Sequence, residues 1–210
     1  MITFEEYENA LKQRHGKKIY NILSHSSVAI AGLGGLGSNI AMYLARAGVG
    51  HLHLVDFDKV DITNLNRQQY DIADLGTPKT EAIKKNIKRF NPFIEITSQC
   101  VKVNEDNATK IFGGYKIVCE AFDKAENKAM LVNSILSECG DTKIVSGSGM
   151  AGFGSSNTIV TRKINDRFYL CGDAESDMND GLALAAPRVA ICAAHEANMI
   201  LRLLIGEKEV

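Results

Sequence analysis

Apolar residues along the chain form short runs of four or five, separated by longer segments in which they recur every third or fourth position. Runs of the first kind read as buried strands, and the spacing of the second reads as helix. Thr3-x-x-Glu6 is a capping box opening a helix through about Gln13. A polar link, Arg14-His15-Gly16-Lys17-Lys18, and a brief apolar turn to Leu23 follow. Val28 to Ala31 is a strand running into Gly32, and Ile40, Tyr43, Leu44 and Ala47 mark a helix that stops at Gly48. His51 to Val55 is the next strand. Thr77-Pro78 starts a helix reaching about Phe90, closed by Asn91-Pro92. Strands at 94–97, 116–119 and 143–146 alternate with helices at 105–112 and 127–139, and a glycine-rich stretch runs from Gly147 to Gly154.

From Thr158 the texture changes. Thr158 to Thr161 and Arg167 to Leu170 read as an antiparallel hairpin, followed by a polar loop from Gly172 to Gly181. Pro187 to Ile205 is a last helix with Val189, Ala193, Ala197, Ile200 and Leu204 on one face. The alternation of strands and helices over the first 150 residues predicts an α/β fold, Rossmann-like and doubly wound, with a mainly parallel sheet extended by the antiparallel hairpin. The expected organisation is one domain over 1–210. It has an N-terminal helical segment (1–25), a Rossmann-like core (26–155), and the hairpin, loop and final helix (156–210).

Composition narrows the classes. Hydrophobic content of 45% and charged content of 23% suit a soluble globular chain, and a net charge of -1 offers nothing to nucleic acid or an anionic membrane. The first residues are acidic with no apolar core of a signal peptide, and Pro187, Arg188, His195, Glu196 and Arg202 interrupt the most apolar stretch, so a cytoplasmic location without a membrane partner is expected. The five cysteines form no Cys-x-x-Cys pair, so no structural zinc is expected.

The chemistry begins at Gly32-x-Gly34-Gly35-x-Gly37, between a strand and a helix. Such glycines permit a tight turn and close backbone approach, and the helix start offers free N–H groups to phosphate. Asp56 ends the second strand 19 residues after Gly37, where a ribose-binding carboxylate belongs. The polar run Asp56-Phe57-Asp58 … Asn64-Leu65-Asn66-Arg67-Gln68 follows, with Lys79 beyond it. A guanidinium and an ammonium beside the glycine loop suit a triphosphate better than a dinucleotide, because they neutralise charge that moves in nucleotidyl transfer.

These runs, with Pro78-Lys79 and Ala121-Phe122-Asp123, resemble the ThiF/MoeB/HesA family, related to the ubiquitin-activating enzymes, over nearly the whole chain. The length and the ending Tyr169-x-Cys171-Gly172-Asp173 … Ala186-Pro187-Arg188-Val189 are similar to the shorter ThiF-like proteins of thiamine biosynthesis. The resemblance implies an adenylyltransferase that uses ATP and Mg²⁺ to activate the C-terminal glycine of a ubiquitin-like sulfur-carrier protein ending in Gly-Gly. It implies that Gly34 and Gly35 lie against the phosphates and that Asp56 binds the ribose. Asn64, Arg67 and Gln68 would line the phosphate site, Lys79 would contact the phosphates, and Asp123 would hold Mg²⁺. Arg67, Lys79 and Asp123 would be catalytic. It also implies a homodimer in which a basic residue near the N-terminus, best matched by Arg14 with Lys17 or Lys18 as alternatives, reaches the partner's ATP. Lys124 stands where many relatives carry asparagine, and the zinc-binding cysteine pairs of longer relatives are missing.

Other readings stay open. Asp58 either meets the nucleotide or accepts backbone N–H groups in its loop, and Asn64 and Asn66 are also turn-formers. Cys171, at an expected strand-to-loop junction, is either a functional thiol or a structural one. His195 reads as a packed histidine. Activation of a MoaD-like carrier, an ATP-dependent tRNA threonylcarbamoyladenosine dehydratase and an NAD-dependent oxidoreductase are the alternative functions.

Overall fold

Seven strands form one sheet in the order β3-β2-β1-β4-β5-β7-β6 in a computed structural model that describes residues 2–177 and 181–210. The strands are β1 (Ser27–Ala31), β2 (His51–Val55), β3 (Glu95–Gln99), β4 (Ile117–Glu120), β5 (Lys143–Gly147), β6 (Val160–Lys163) and β7 (Phe168–Gly172). All neighbours run parallel except β6 and β7. The helices are α1 (Phe4–His15), α2 (Lys17–Ser24), α3 (Gly35–Ala47), α4 (Lys79–Lys88), α5 (Glu105–Phe112), α6 (Ala125–Glu138) and α7 (Ala186–Leu204).

Side-chain alternation along the strands sorts the core into two layers. Val28, Ile30, Leu52, Leu54, Cys119, Val145, Tyr169 and Cys171 face α3, α4 and α7. Ala29, Ala31, Val55, Val118 and Ile144 face α5 and α6, where Phe112, Leu131 and Ile135 are fully buried. The central strands are covered on both faces, which is why their sequences read as unbroken apolar runs.

The hairpin extends the mainly parallel sheet as the sequence predicts, its two strands antiparallel to each other. β7, not β6, joins the body of the sheet, and it does so parallel to β5, pairing Ile144 with Phe168 and Gly147 with Cys171. Only β6 is an antiparallel edge. The reason is burial: Tyr169 and Cys171 are wholly enclosed under α7, whereas β6 carries Thr161, Arg162 and Lys163, suited to an edge.

Two boundaries also move. The polar link at Arg14 to Lys18 is mostly helical: α1 runs through His15 and α2 begins at Lys17. Gly16 alone makes the break with φ +80°. α3 starts at Gly35, five residues before its apolar spacing becomes legible, because glycines in the first turn carry no hydrophobic signal. The capping box of Thr3 and Glu6 forms as expected. Of the loop expected at 172–181, residues 178–180 lie outside the described residues.

Phe112 is fully enclosed between α5, α6 and the sheet. Phe112→Ala is expected to lower the unfolding free energy by about 3–5 kcal/mol, read from urea denaturation. Nucleotide affinity per folded molecule should be unchanged.

Candidate nucleotide site

The glycine loop sits at the carboxyl end of β1, where its neighbours β2 and β4 lie on opposite sides and the crossovers diverge. Crevices of doubly wound sheets open at such points. Two glycines are required by the packing. A Cβ on Gly37 would lie 1.8 Å from the Gly32 carbonyl oxygen, and one on Gly32, at φ +92°, would lie 2.7 Å from that of Ala121. α3 is therefore seated directly on the ends of β1 and β4. Its first-turn amides, Gly35 to Gly37, lack acceptors within the helix and are available to an anion.

Asp56, at the end of β2, is 8% exposed. Its two carboxylate oxygens accept the N–H groups of Leu33 at 2.6 Å and Asp58 at 2.7 Å. Burial raises its pKa above the ordinary carboxylate value, while Lys79 and the two N–H groups pull the other way without cancelling it. Asp58 forms an ion pair with Lys79 at 3.0 Å, and the Lys79 side chain is nearly buried. The Lys79 N–H also donates to the Asp58 carbonyl at 2.9 Å, tying the start of α4 to this loop.

Arg67 and Gln68 lie over the glycines. Gly35 faces the Arg67 Cγ and Cδ atoms, and the Gln68 Nε2 comes within 3.9 Å of a Cβ placed on Gly34. Arg67 donates through Nη1 to the Thr63 carbonyl and the Asn66 side chain. Among the described residues, the buried side-chain polar atoms without a hydrogen-bond partner are Arg67 Nε, Gln68 Oε1 and Asn86 Oδ1. Two of the three thus belong to the side chains covering the glycine loop, an arrangement left unsatisfied without a further group. Asn64 caps a short turn, accepting the Asp61 N–H at 3.0 Å, as a turn-former does. Asp123 is exposed, three residues beyond the end of β4, in the segment that crosses Gly32.

Arg14 lies apart from this constellation, exposed in the last turn of α1. Cys171 is the penultimate residue of β7, one residue before the loop. It is enclosed within β7, and burial, with Glu196 nearby, pushes its thiol up to about 12, far from the thiolate a nucleophile requires. His195 is packed, its Nδ1 3.0 Å from the Thr161 hydroxyl.

Several residues around the site were assigned no role from the sequence. The Tyr70 hydroxyl donates to the Leu33 carbonyl at 2.8 Å, and the Asn39 amide donates to the Gly35 and Arg67 carbonyls, fixing the 64–69 loop to α3. Beneath the Asp123 segment, Glu120 is fully buried and paired with Lys128. Burial works to lower the Lys128 pKa, but Glu120 and Glu196 outweigh it and leave it raised. Glu196, fully buried on α7, accepts from the Cys119 and Cys192 thiols. Burial raises its carboxyl to about 8, opposed by Lys128 and reinforced by Glu120. Arg188 is buried in the same helix and reaches Asp173 and the carbonyls of Ala151 and Ser155. Burial works against the Asp173 charge, but the N–H groups of Ser176 and Glu175, the Ser176 hydroxyl and Arg188 prevail and hold its pKa at about 2.

A profile of the ThiF family matches residues 7–210. The molybdopterin-synthase adenylyltransferase of Salmonella typhimurium is 34% identical over 152 residues, which is 71% of this chain and 59% of that protein. The sulfur carrier protein adenylyltransferase of Thermus thermophilus is 36% identical over 102 residues, covering 48% of this chain and 38% of that one. The chain thus spans three fifths or less of the length of these curated relatives. In fold, it is similar to the E. coli tRNA N6-threonylcarbamoyladenosine dehydratase in complex with ATP. The TM-score is 0.86 at 22% identity, covering 98% of this chain and 97% of that one.

The raised carboxyl of Glu196 has a signed consequence. Between the ordinary value of 4.5 and about 8, the folded chain keeps a proton that the unfolded chain has lost. This group's contribution to stability therefore falls as pH rises through that window, by up to about 1.4 kcal/mol per pH unit. Glu196→Gln should flatten the profile, so that the stability of the variant relative to wild type grows from pH 5 to pH 8. Urea denaturation at three pH values across the window measures it, and parallel profiles would show that Glu196 is not the group responsible.

Proposed function

The chain belongs to the ThiF family, and we propose that it uses ATP to adenylate the C-terminal glycine carboxylate of a small ubiquitin-like sulfur-carrier protein. The observation that carries this reading is the unpartnered Arg67 Nε and Gln68 Oε1 above a helix N-terminus, beside the buried Asp56 and Lys79. Two relatives named as adenylyltransferases of molybdopterin synthase and of sulfur carrier protein point the same way. All 210 residues would act as one ATP-binding unit.

In this mechanism the amides of Gly35 to Gly37 and the side chains of Arg67, Gln68 and Lys79 face the phosphates, with Gly32 and Gly34 shaping the loop and Asn64 holding its far wall. Asp56 accepts the ribose hydroxyls with the lone pairs its two N–H bonds leave free. Asp58 aims Lys79 and does not itself need to touch the nucleotide. A carboxylate oxygen of the carrier attacks the α-phosphorus, the bond to the β-phosphate bridging oxygen breaks, and pyrophosphate leaves with that electron pair. The acyl-adenylate that results is ready for a sulfur nucleophile. No enzyme nucleophile takes part, so catalysis is positioning and charge stabilisation. Arg67 and Lys79 stabilise charge that shifts toward the leaving pyrophosphate.

Asp123 fits a magnesium ligand by its chemistry. Mg²⁺ in such sites keeps several waters and is held by one or two carboxylates together with substrate phosphates, so a single exposed aspartate beside the glycine loop is sufficient. Magnesium, when bound there, would neutralise phosphate charge near the α-phosphate.

Within this reading we assign the carrier to thiamine (thiazole) biosynthesis, in the cytoplasm, and no helix among the described residues is long and apolar enough to cross a membrane. A second reading is ATP-dependent dehydration of a tRNA-borne carboxylate. It draws on the near-complete mutual coverage with the E. coli dehydratase, while the net charge of -1 gives it no support.

Carrier-dependent exchange of labelled pyrophosphate into ATP, run against a panel of Gly-Gly-ended proteins, tests the proposal. Stimulation by tRNA in place of every carrier would select the second reading. In the same assay Asp123→Ala is expected to lose exchange by at least about 100-fold with ATP binding weakened only modestly. Asp56→Ala should weaken ATP binding first, and equal, mild effects from both would refute the division of roles.

We further propose a homodimer in which Arg14 stabilises phosphate charge on the partner's ATP, much as an arginine finger does. Its exposure at the end of α1, apart from the site of its own chain, supports that reading. Arg14→Ala and Asp123→Ala chains, each nearly inactive alone, should regain activity when their subunits exchange, because one hybrid site then holds both wild-type residues. No recovery after demonstrated exchange would exclude action across the interface.

A further inference from the structure

The adenylation chemistry leaves unused a fully buried carboxylate two residues before Phe122. Glu120 ends β4 and has no solvent exposure. Its Oε1 accepts the Phe122 N–H at 2.7 Å. Lys128, on the first turns of α6, donates to both carboxylate oxygens at 3.3 Å and 3.1 Å, and the Ser146 hydroxyl of β5 donates to Oε2. A single carboxylate therefore joins β4, β5, α6 and the segment that carries Asp123.

A buried ion pair gains little or nothing in stability over an apolar pair of the same volume, so general stabilisation does not account for it. Its geometry does suggest a role. The 121–124 segment crosses the glycine loop, with the Ala121 N–H on the Ala31 carbonyl at 2.8 Å and the Ala121 carbonyl against Gly32. Beyond Ala121, the Phe122 N–H held by Glu120 is the bond that fixes the backbone before Asp123, and α6 begins only at Ala125. We infer that Glu120 and Lys128 are positioning residues that hold the 121–124 segment so that the Asp123 carboxylate faces the phosphates. The inference rests on the reading of Asp123 as a magnesium ligand. Lys128 balances the charge that Glu120 brings into the core, and Glu120 converts that balance into a fixed peptide at Phe122. Outer partners of this kind commonly change metal affinity by about 10–100-fold when removed.

The test uses Lys128→Met, Lys128→Arg and the double variant Glu120→Gln/Lys128→Met in the full chain. Two quantities are read: amide hydrogen exchange at Phe122 and Asp123 without nucleotide, and the magnesium concentration giving half-maximal pyrophosphate exchange. In Lys128→Met the Phe122 amide should exchange at least about tenfold faster while the amides of α6 keep their protection. The magnesium requirement should rise about 10–100-fold with KM for ATP nearly unchanged. Lys128→Arg should restore most of both. Wild-type values of both readings in Lys128→Met, or uniform loss of protection across α6 and the sheet, would overturn the inference, as would a Lys128→Arg no better than the methionine variant. Should Lys128→Met fail to fold, the double variant decides: it removes both charges, and a wild-type magnesium requirement there overturns the proposal. Asp123→Ala, measured in parallel, separates the two claims. If it leaves the magnesium requirement unchanged, the metal reading of Asp123 fails and the Phe122 amide alone decides whether Glu120 and Lys128 hold the segment.

Discussion

The structure depends on the crossing of α3 over the ends of β1 and β4. A methyl group on Gly37 would overlap the Gly32 carbonyl, and one on Gly32 would overlap that of Ala121. Only because both side chains are absent does the first turn of α3 reach the sheet. That contact aims its free amides into the crevice between the diverging crossovers. Everything placed around the crevice is measured from this crossing. Leu33 gives its N–H to Asp56 and its carbonyl to Tyr70, and the Ala121 peptide is pinned to Ala31.

From that point the site is built mainly by backbone groups holding side chains. Asp56 is oriented by two N–H groups rather than by a counter-ion. Arg67 is steered by the Thr63 carbonyl, and its own carbonyl is held by Asn39. Such contacts cost little reorganisation when charge moves, as the proposed nucleotidyl transfer requires. Buried charges on opposite sides of the glycine loop follow two patterns. Lys79 is a nearly buried cation paired with the exposed Asp58, whereas Glu120 is a fully buried anion paired with the partly buried Lys128.

α7 links this site to the edge of the sheet. Its buried face is wider than the apolar stripe, because Arg188, Cys192 and Glu196 are enclosed beside Val189, Ala193 and Ala197. Arg188 is tolerated there because Asp173 and two carbonyls satisfy it. Glu196 is tolerated because burial shifts its carboxyl toward the neutral form and the Cys119 and Cys192 thiols donate to it. Val189 in turn packs against Gly35, so the helix that closes the edge also presses on the glycine loop.

By itself the sequence determined the alternation of strands and helices, the doubly wound class, and the gathering of Gly32, Gly34, Gly35, Gly37, Asp56, Arg67 and Lys79 around one crevice. These are local facts: periodicity follows from how side chains leave a helix or strand, and the glycine loop with its acid is a short-range motif. Tertiary structure decided that β7 enters the sheet parallel while β6 takes the edge, since burial under α7 selects between two strands that look alike in isolation. It also decided that Cys171 is enclosed, that Arg14 lies in the last turn of a helix, that Glu120 pairs with Lys128, and that Glu196 is buried beside two thiols. Such charged residues look like surface positions one at a time. Only the partner brought from a distant element changes the free energy of burying them, and no periodicity records that partner.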